Sequence, residues 1–160
     1  MAEVKQGRWT AKIDGDFVVF IIGARPDWRR PVRSLKDLGG RNGMPAMLKY
    51  LSEHPEKGFL GYQNHGLFTN VQYWRSFDHL EAFARDDTDP HVQVWRDYWK
   101  RVGTDPRSGI WHETFLVRSG EYEAVYGNMP AFGLAKAAEH VPISQDSSAR
   151  RRLKRLAGGQ

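Results

Sequence analysis

No cysteine occurs in the 160 residues, which removes disulfide frameworks, thiolate zinc, iron–sulfur clusters, thiolate-ligated haem and covalently attached c-type haem together. Any metal must be held by histidine or carboxylate. Nor is there a run of about 18 uninterrupted apolar residues, the length a membrane-crossing helix needs, and Met1-Ala2-Glu3-Val4-Lys5-Gln6 has no apolar stretch of the kind a secretion signal carries. The expectation is a soluble, cytoplasmic protein with no membrane contact. Two chemical motifs are missing as well. His112-Glu113 is followed by Leu116 where a two-histidine zinc helix requires its second histidine. Gly39-Gly40-Arg41-Asn42-Gly43 lacks the lysine and hydroxyl pair of a phosphate loop and reads as a turn.

A surplus of charge is absent from the body of the chain. The net charge of +5 comes from Arg150, Arg151, Arg152, Lys154 and Arg155, five of the 24 basic residues, leaving 19 against 19 acidic ones elsewhere. This short terminal run reads as a solvated tail and not as a nucleic-acid arm. Aromatics, by contrast, are plentiful at 12%, six of them Trp. Such flat side chains suit an ordinary core or a pocket for a flat ligand equally well.

The length suits one packed domain. Phe17-Val18-Val19-Phe20-Ile21-Ile22-Gly23 is a continuous apolar run of strand length and predicts a central strand buried on both faces. A proline-broken loop over 25–31 follows, and the next helix is expected from Met44 or Pro45 to about Glu53. Residues 58–64 and 68–74 are extended runs at hairpin spacing. Ser76 is a good N-cap for a short helix bearing Phe77, Leu80, Phe83 and Ala84. A second helix starts at Asp89-Pro90 and closes at Gly103. Residues 110–117 and 121–126 are expected to form a last hairpin. The order of elements is that of an α+β, ferredoxin-like antiparallel sheet with helices on one face. Its bare face, if apolar, needs cover, and a homodimer closing a two-chain α/β barrel supplies it. The expected division is an arm over 1–14, the barrel domain over 15–138 and a flexible basic tail over 139–160.

Two histidines carry the chemistry. His91 stands just inside a helix start, where the partial positive charge of the helix end disfavours imidazolium and keeps the ring in its neutral, metal-binding form. Helical spacing puts it on one stripe with Val94, Trp95, Tyr98 and Val102. His112 lies in a strand whose alternation gives it Ile110, Thr114 and Leu116 as same-face neighbours, with Trp111, Glu113, Phe115 and Val117 on the other face. From these residues alone, a structural role for either histidine stands beside a functional one.

Gln72-Tyr73-Trp74-Arg75-Ser76-Phe77, His91, Gly109-Ile110-Trp111-His112-Glu113-Thr114 and Tyr122-Glu123-Ala124-Val125-Tyr126-Gly127-Asn128-Met129-Pro130 recur in an order that resembles the fumagillin-type monooxygenase family of the dimeric α/β-barrel superfamily. Residues 88–134 also resemble the haem-carrying half of aldoxime dehydratases. The resemblance implies haem b, with His91 as the iron ligand and His112 as the distal acid and base. Trp95, Trp111 and Arg75 then become candidate cofactor contacts, as do Arg25 and Arg29 for the propionates and Tyr98 and Trp99 for the walls. It further implies an oxidative reaction on a small apolar organic substrate; the alternatives are aldoxime dehydration, a cofactor-free monooxygenase, and a non-catalytic protein that binds haem or a small molecule. The chain departs from the dehydratase pattern in carrying Pro90 where a threonine precedes the ligand, and in being about half as long.

Overall fold

The computed structural model describes residues 2–143 and 148–157. Four strands form the central sheet: β2 (Phe17–Arg25), β3 (Phe59–Asn64), β4 (Thr69–Trp74) and β5 (Gly109–Val117), with β1 (Lys5–Lys12) standing outside it. Their spatial order is β3-β4-β2-β5, every neighbouring pair antiparallel. With helices α1 (Pro31–Asp37) and α2 (Met44–Glu53) between β2 and β3, and α3 (Phe77–Arg85) and α4 (Pro90–Val102) between β4 and β5, this is the ferredoxin-like topology. The apolar run from Phe17 became an inner strand because both its edges are paired, to β4 and to β5.

Local signals set the helix ends. Ser76 accepts the backbone N–H of His79 and starts α3. Pro90 occupies the first turn of α4, and Gly103, at φ 54°, ends it. Helix α1 begins at Pro31, the last residue of the expected loop, ahead of the helix expected from Met44 or Pro45. Pro31 breaks a preceding element but also begins a helix, since its missing N–H would be unpaired in the first turn. Its buried Ser34 shares a 2.8 Å hydrogen bond with Ser108, and its Asp37 pairs with Arg107 at 2.9 Å, fixing it beside α4 and the entry to β5.

Each face of the sheet carries its own core. Toward the helices, Val18, Phe59 and Trp74 pack with Leu48, Leu51, Leu80 and Phe83. On the far face, Phe17 and Tyr73 pack with Ala11, Ile13, Leu134 and Ala135. That second core differs from the expected arrangement. The stretch taken for an arm forms β1, which pairs with β6 (Tyr126–Met129) on one side and β7 (Glu139–Pro142) on the other. This three-stranded sheet, with the short α5 (Leu134–Ala137), covers part of the face assumed bare. Residues 121–125 are not a strand, so the hairpin expected with 110–117 does not form; β6 turns to β1 instead. Within the expected tail, 139–142 is β7 and 149–157 is α6 (Ala149–Ala157), whose Arg152 Nε lies 2.7 Å from Glu123 Oε1. Gln145, Asp146 and Ser147 lie outside the described residues. Among those described, no helix is long and apolar enough to cross a membrane.

The far face stays open at a hollow lined by Phe17, Val19, Tyr73 and Val117 and at the β5 edge, where Trp111 is 43% and Phe115 49% exposed. The Trp111 indole lies flat on Gly23, where a Cβ would meet it at 2.6 Å, so glycine is what lets the ring reach the strand.

Candidate functional site

Helix α4 begins under the control of Asp89, though not as a side-chain cap. Its buried carboxylate accepts the Tyr50 hydroxyl at 2.5 Å and the Lys57 ammonium at 2.8 Å, tying the start of α4 to α2 and to the turn before β3. Two residues on, the His91 ring is fixed by a hydrogen bond. Nδ1 lies 3.0 Å from the Ala84 carbonyl, and since a carbonyl only accepts, the proton sits on Nδ1. In the neutral ring Nε2 is then a lone pair, the form and orientation that metal-ligating histidines adopt when a backbone carbonyl holds the other nitrogen. Burial pushes the His91 pKa below the usual 6.5; the Ala84 bond opposes this and the field of His112 adds to it. The rings of Phe83, centred 5.7 Å away, and Trp95, nearly parallel at 6.5 Å, flank the imidazole.

The sign of that shift makes a prediction. Above pH 6.5 the ring is neutral whether the chain is folded or not, so its contribution to stability is complete. As pH falls below 6.5 the unfolded chain takes up the proton first, and stability is lost until the depressed folded pKa is reached. An NMR titration of the His91 Cε1–H is expected to show a midpoint below 6.5; a midpoint at or above it contradicts the burial described here.

His112 stands opposite Ile22 on β5. Because Val18, Phe20 and Ile22 share one face of β2, and Val18 lies in the helix-side core, His112 projects toward the helices too. Its ring packs 5.2 Å from Phe20, and its charge is felt at His91. Both imidazoles therefore belong to one side of one sheet, with the exposed His112 open to solvent at the edge. The same face holds residues that sequence reasoning passed over. Asn70, Gln72 and Trp74 alternate along β4, opposite Ile22, Phe20 and Val18, and are 5%, 4% and 0% exposed. The Trp74 indole N–H donates to Gln72 Oε1 at 3.0 Å, and Gln72 Nε2 donates to Asn70 Oδ1 at 2.9 Å. Polar alternation in a strand ordinarily signals a solvent face. The discriminating signal was Trp74, in step with both amides, which drew them into the core.

Other expected contacts lie elsewhere. Trp111 occupies the opposite face, on Gly23. Arg75 follows Trp74 at the far end of β4 and donates to the Asp14 carbonyl at 3.0 Å, near the turn between β1 and β2. Neither is joined to the imidazole pair. Arg25 donates to the Pro106 carbonyl and, with Arg29 and Trp28, lines a separate hollow of about 470 Å³. Tyr98 is buried with its hydroxyl on the Ser108 carbonyl at 3.1 Å, while Trp95 and Trp99 are partly exposed. Among the described residues no three His, Asp or Glu side chains gather as a metal site. A metal at His91 would thus have to arrive with most of its donors already supplied, as in a macrocycle.

The domain is of the ferredoxin-like α+β class, with two imidazoles on the helix-covered side of its sheet. The chain belongs to the monooxygenase af470-like family, of the dimeric α/β-barrel type, whose model matches residues 17–134. Among solved structures it is similar to aldoxime dehydratase OxdRE in complex with butyraldoxime, at 18% identity and a TM-score of 0.61, over 83% of this chain and 40% of that one. A second aldoxime dehydratase structure aligns at 15% identity and a TM-score of 0.46, over 94% of this chain and 45% of that one. The chain spans less than half the length of either. No curated protein sequence matches it.

Proposed function

We propose that this protein is a haem-dependent oxidoreductase of the monooxygenase type, acting on a small apolar organic molecule, with His91 as the iron ligand. One observation carries the reading: the Nδ1 bond to Ala84, which leaves Nε2 as a lone pair in a ring kept neutral by burial. The residues fit the group. Phe83 and Trp95 flank the His91 ring, Phe20 packs against the His112 ring, and both imidazoles lie on the helix-covered side of the sheet. Haem b bound through one histidine supplies an open coordination position at which small molecules exchange electrons.

What the chain adds is proton control. His112, exposed at the sheet edge, would deliver a proton to a departing oxygen atom of the substrate or, with electrons from an external reductant, of reduced dioxygen. Phe20 and Trp95 exclude water from the apolar part of the substrate. Trp111 and Arg75 take no part in this. Trp111 belongs with Phe115 to the open strip of the far face, and a second copy of the chain covers that strip in the homodimer we propose. Trp111→Glu is expected to convert the dimer to monomer in sedimentation experiments, and a monomeric wild-type protein would contradict this placement.

A second reading is dehydration of an aldoxime to a nitrile, favoured by the fold shared with OxdRE. His112 would then protonate the oxime hydroxyl as it leaves. The two reactions separate by oxygen. Oxygen-dependent substrate consumption by the haemin-loaded protein supports the first; conversion of butyraldoxime under anaerobic reduction supports the second. Oxygen consumption by haem-free protein would select a cofactor-free monooxygenase, and binding without turnover a carrier.

A further inference from the structure

The amide ladder along β4 has a direction, and it ends at Asn70, on the face of the sheet that Asn70 shares with Ile22 and His112. An indole N–H can only donate, so the Trp74 contact fixes the carbonyl oxygen of Gln72 toward it. The Gln72 amino group then points the other way, where one N–H meets Asn70 Oδ1 at 2.9 Å and the amino group also contacts Met44 Sδ at 3.6 Å. Asn70 must therefore accept through its oxygen and turn its own amino group onward. Among the described residues that amino group has no hydrogen-bond partner, and it is not one of the fully sealed unpaired atoms, which are the two ring nitrogens of His140. A donor at a side chain only 5% exposed is thus held open toward whatever space remains beside it. Asn70 lies in register with Ile22, and Ile22 with His112, so the donor and the distal imidazole flank one residue across two strand spacings, roughly 10 Å.

We infer that Asn70 Nδ2 is a specificity-determining donor that binds an acceptor oxygen of the substrate, so that this face of the sheet selects small apolar molecules bearing a carbonyl, oxime or comparable oxygen over their hydrocarbon counterparts. This rests on the reading of the face shared by His91 and His112 as the substrate site. The ladder orients this donor in advance and solvent still reaches it, so an acceptor oxygen of a ligand can take the place of water there. Where the site is built to satisfy a polar group, the analogue lacking that group is rejected because the donor is left unpaired.

Acetophenone and α-methylstyrene form a suitable probe pair, nearly isosteric and differing in a carbonyl oxygen against a methylene. With the haem-free, 160-residue chain, acetophenone is expected to bind roughly three- to tenfold more tightly, the factor one net neutral hydrogen bond gives. In ¹H–¹⁵N spectra the Asn70 side-chain amide should move on adding acetophenone and stay in place with α-methylstyrene. Asn70→Leu should abolish the preference while leaving haemin binding intact. Trp74→Phe keeps an aromatic ring but removes the donor that sets the ladder, and should weaken the preference as well. Equal binding of the two probes, binding of neither, or an unmoved Asn70 amide overturns the inference. If His112 shifts while Asn70 does not, the inference alone fails; if neither shifts, this face is not the substrate site.

Discussion

His91→Ala is expected to lose haemin binding altogether at micromolar concentrations, with no Soret band of a histidine-ligated haem. Loss of an outer partner of a metal ligand alone costs about 10- to 100-fold in affinity, so removing the ligand itself costs about 100-fold or more. The ring's packing against Phe83 and Trp95 means the substitution also leaves a void. Added imidazole fits that void and is expected to restore the band, which a misfolded variant would not allow. A His91→Ala protein that binds haemin as the wild type does would place the ligand elsewhere.

His112→Phe is expected to act in the opposite way, keeping haemin and losing turnover. The residue sits at the exposed edge of β5 and supports no core packing, so the fold and the His91 contact should persist. General acid and base catalysis contributes about 10²- to 10⁴-fold, and the fall in kcat should lie in that range. Steady-state rates and a haemin titration on one preparation decide this. Unchanged kcat would reduce His112 to a wall residue, and joint loss of both would make it structural.

Much of the site was legible because its signals are local. Asp89-Pro90 and Gly103 bounded α4, alternation placed His112 on one face and Trp111 on the other, and Ser76 capped α3. Trp111, expected as a cofactor contact beside His112, lies instead against Gly23 on the opposite face of the sheet. What stayed hidden depends on partners distant in sequence. Strand β1 exists because β6 and β7 pair with it from more than a hundred residues away, and no local periodicity reports such a pairing. Arg75 was placed by adjacency to Trp74, while its direction was set by the Asp14 carbonyl on another turn. Helix α1 hid behind Pro31, whose two opposite meanings only the tertiary contacts of Ser34 and Asp37 resolve. The buried ladder of Asn70 and Gln72 looked like a wet strand face until the helices were placed over it.

The most direct test of the whole account is a spectroscopic titration of the wild-type chain with haemin. One equivalent per chain should saturate a Soret band characteristic of a single histidine ligand, with binding maintained to a pH below 6.5 because the ring of His91 stays neutral there. A spectrum that remains that of free haemin, or a stoichiometry that does not saturate, would contradict it.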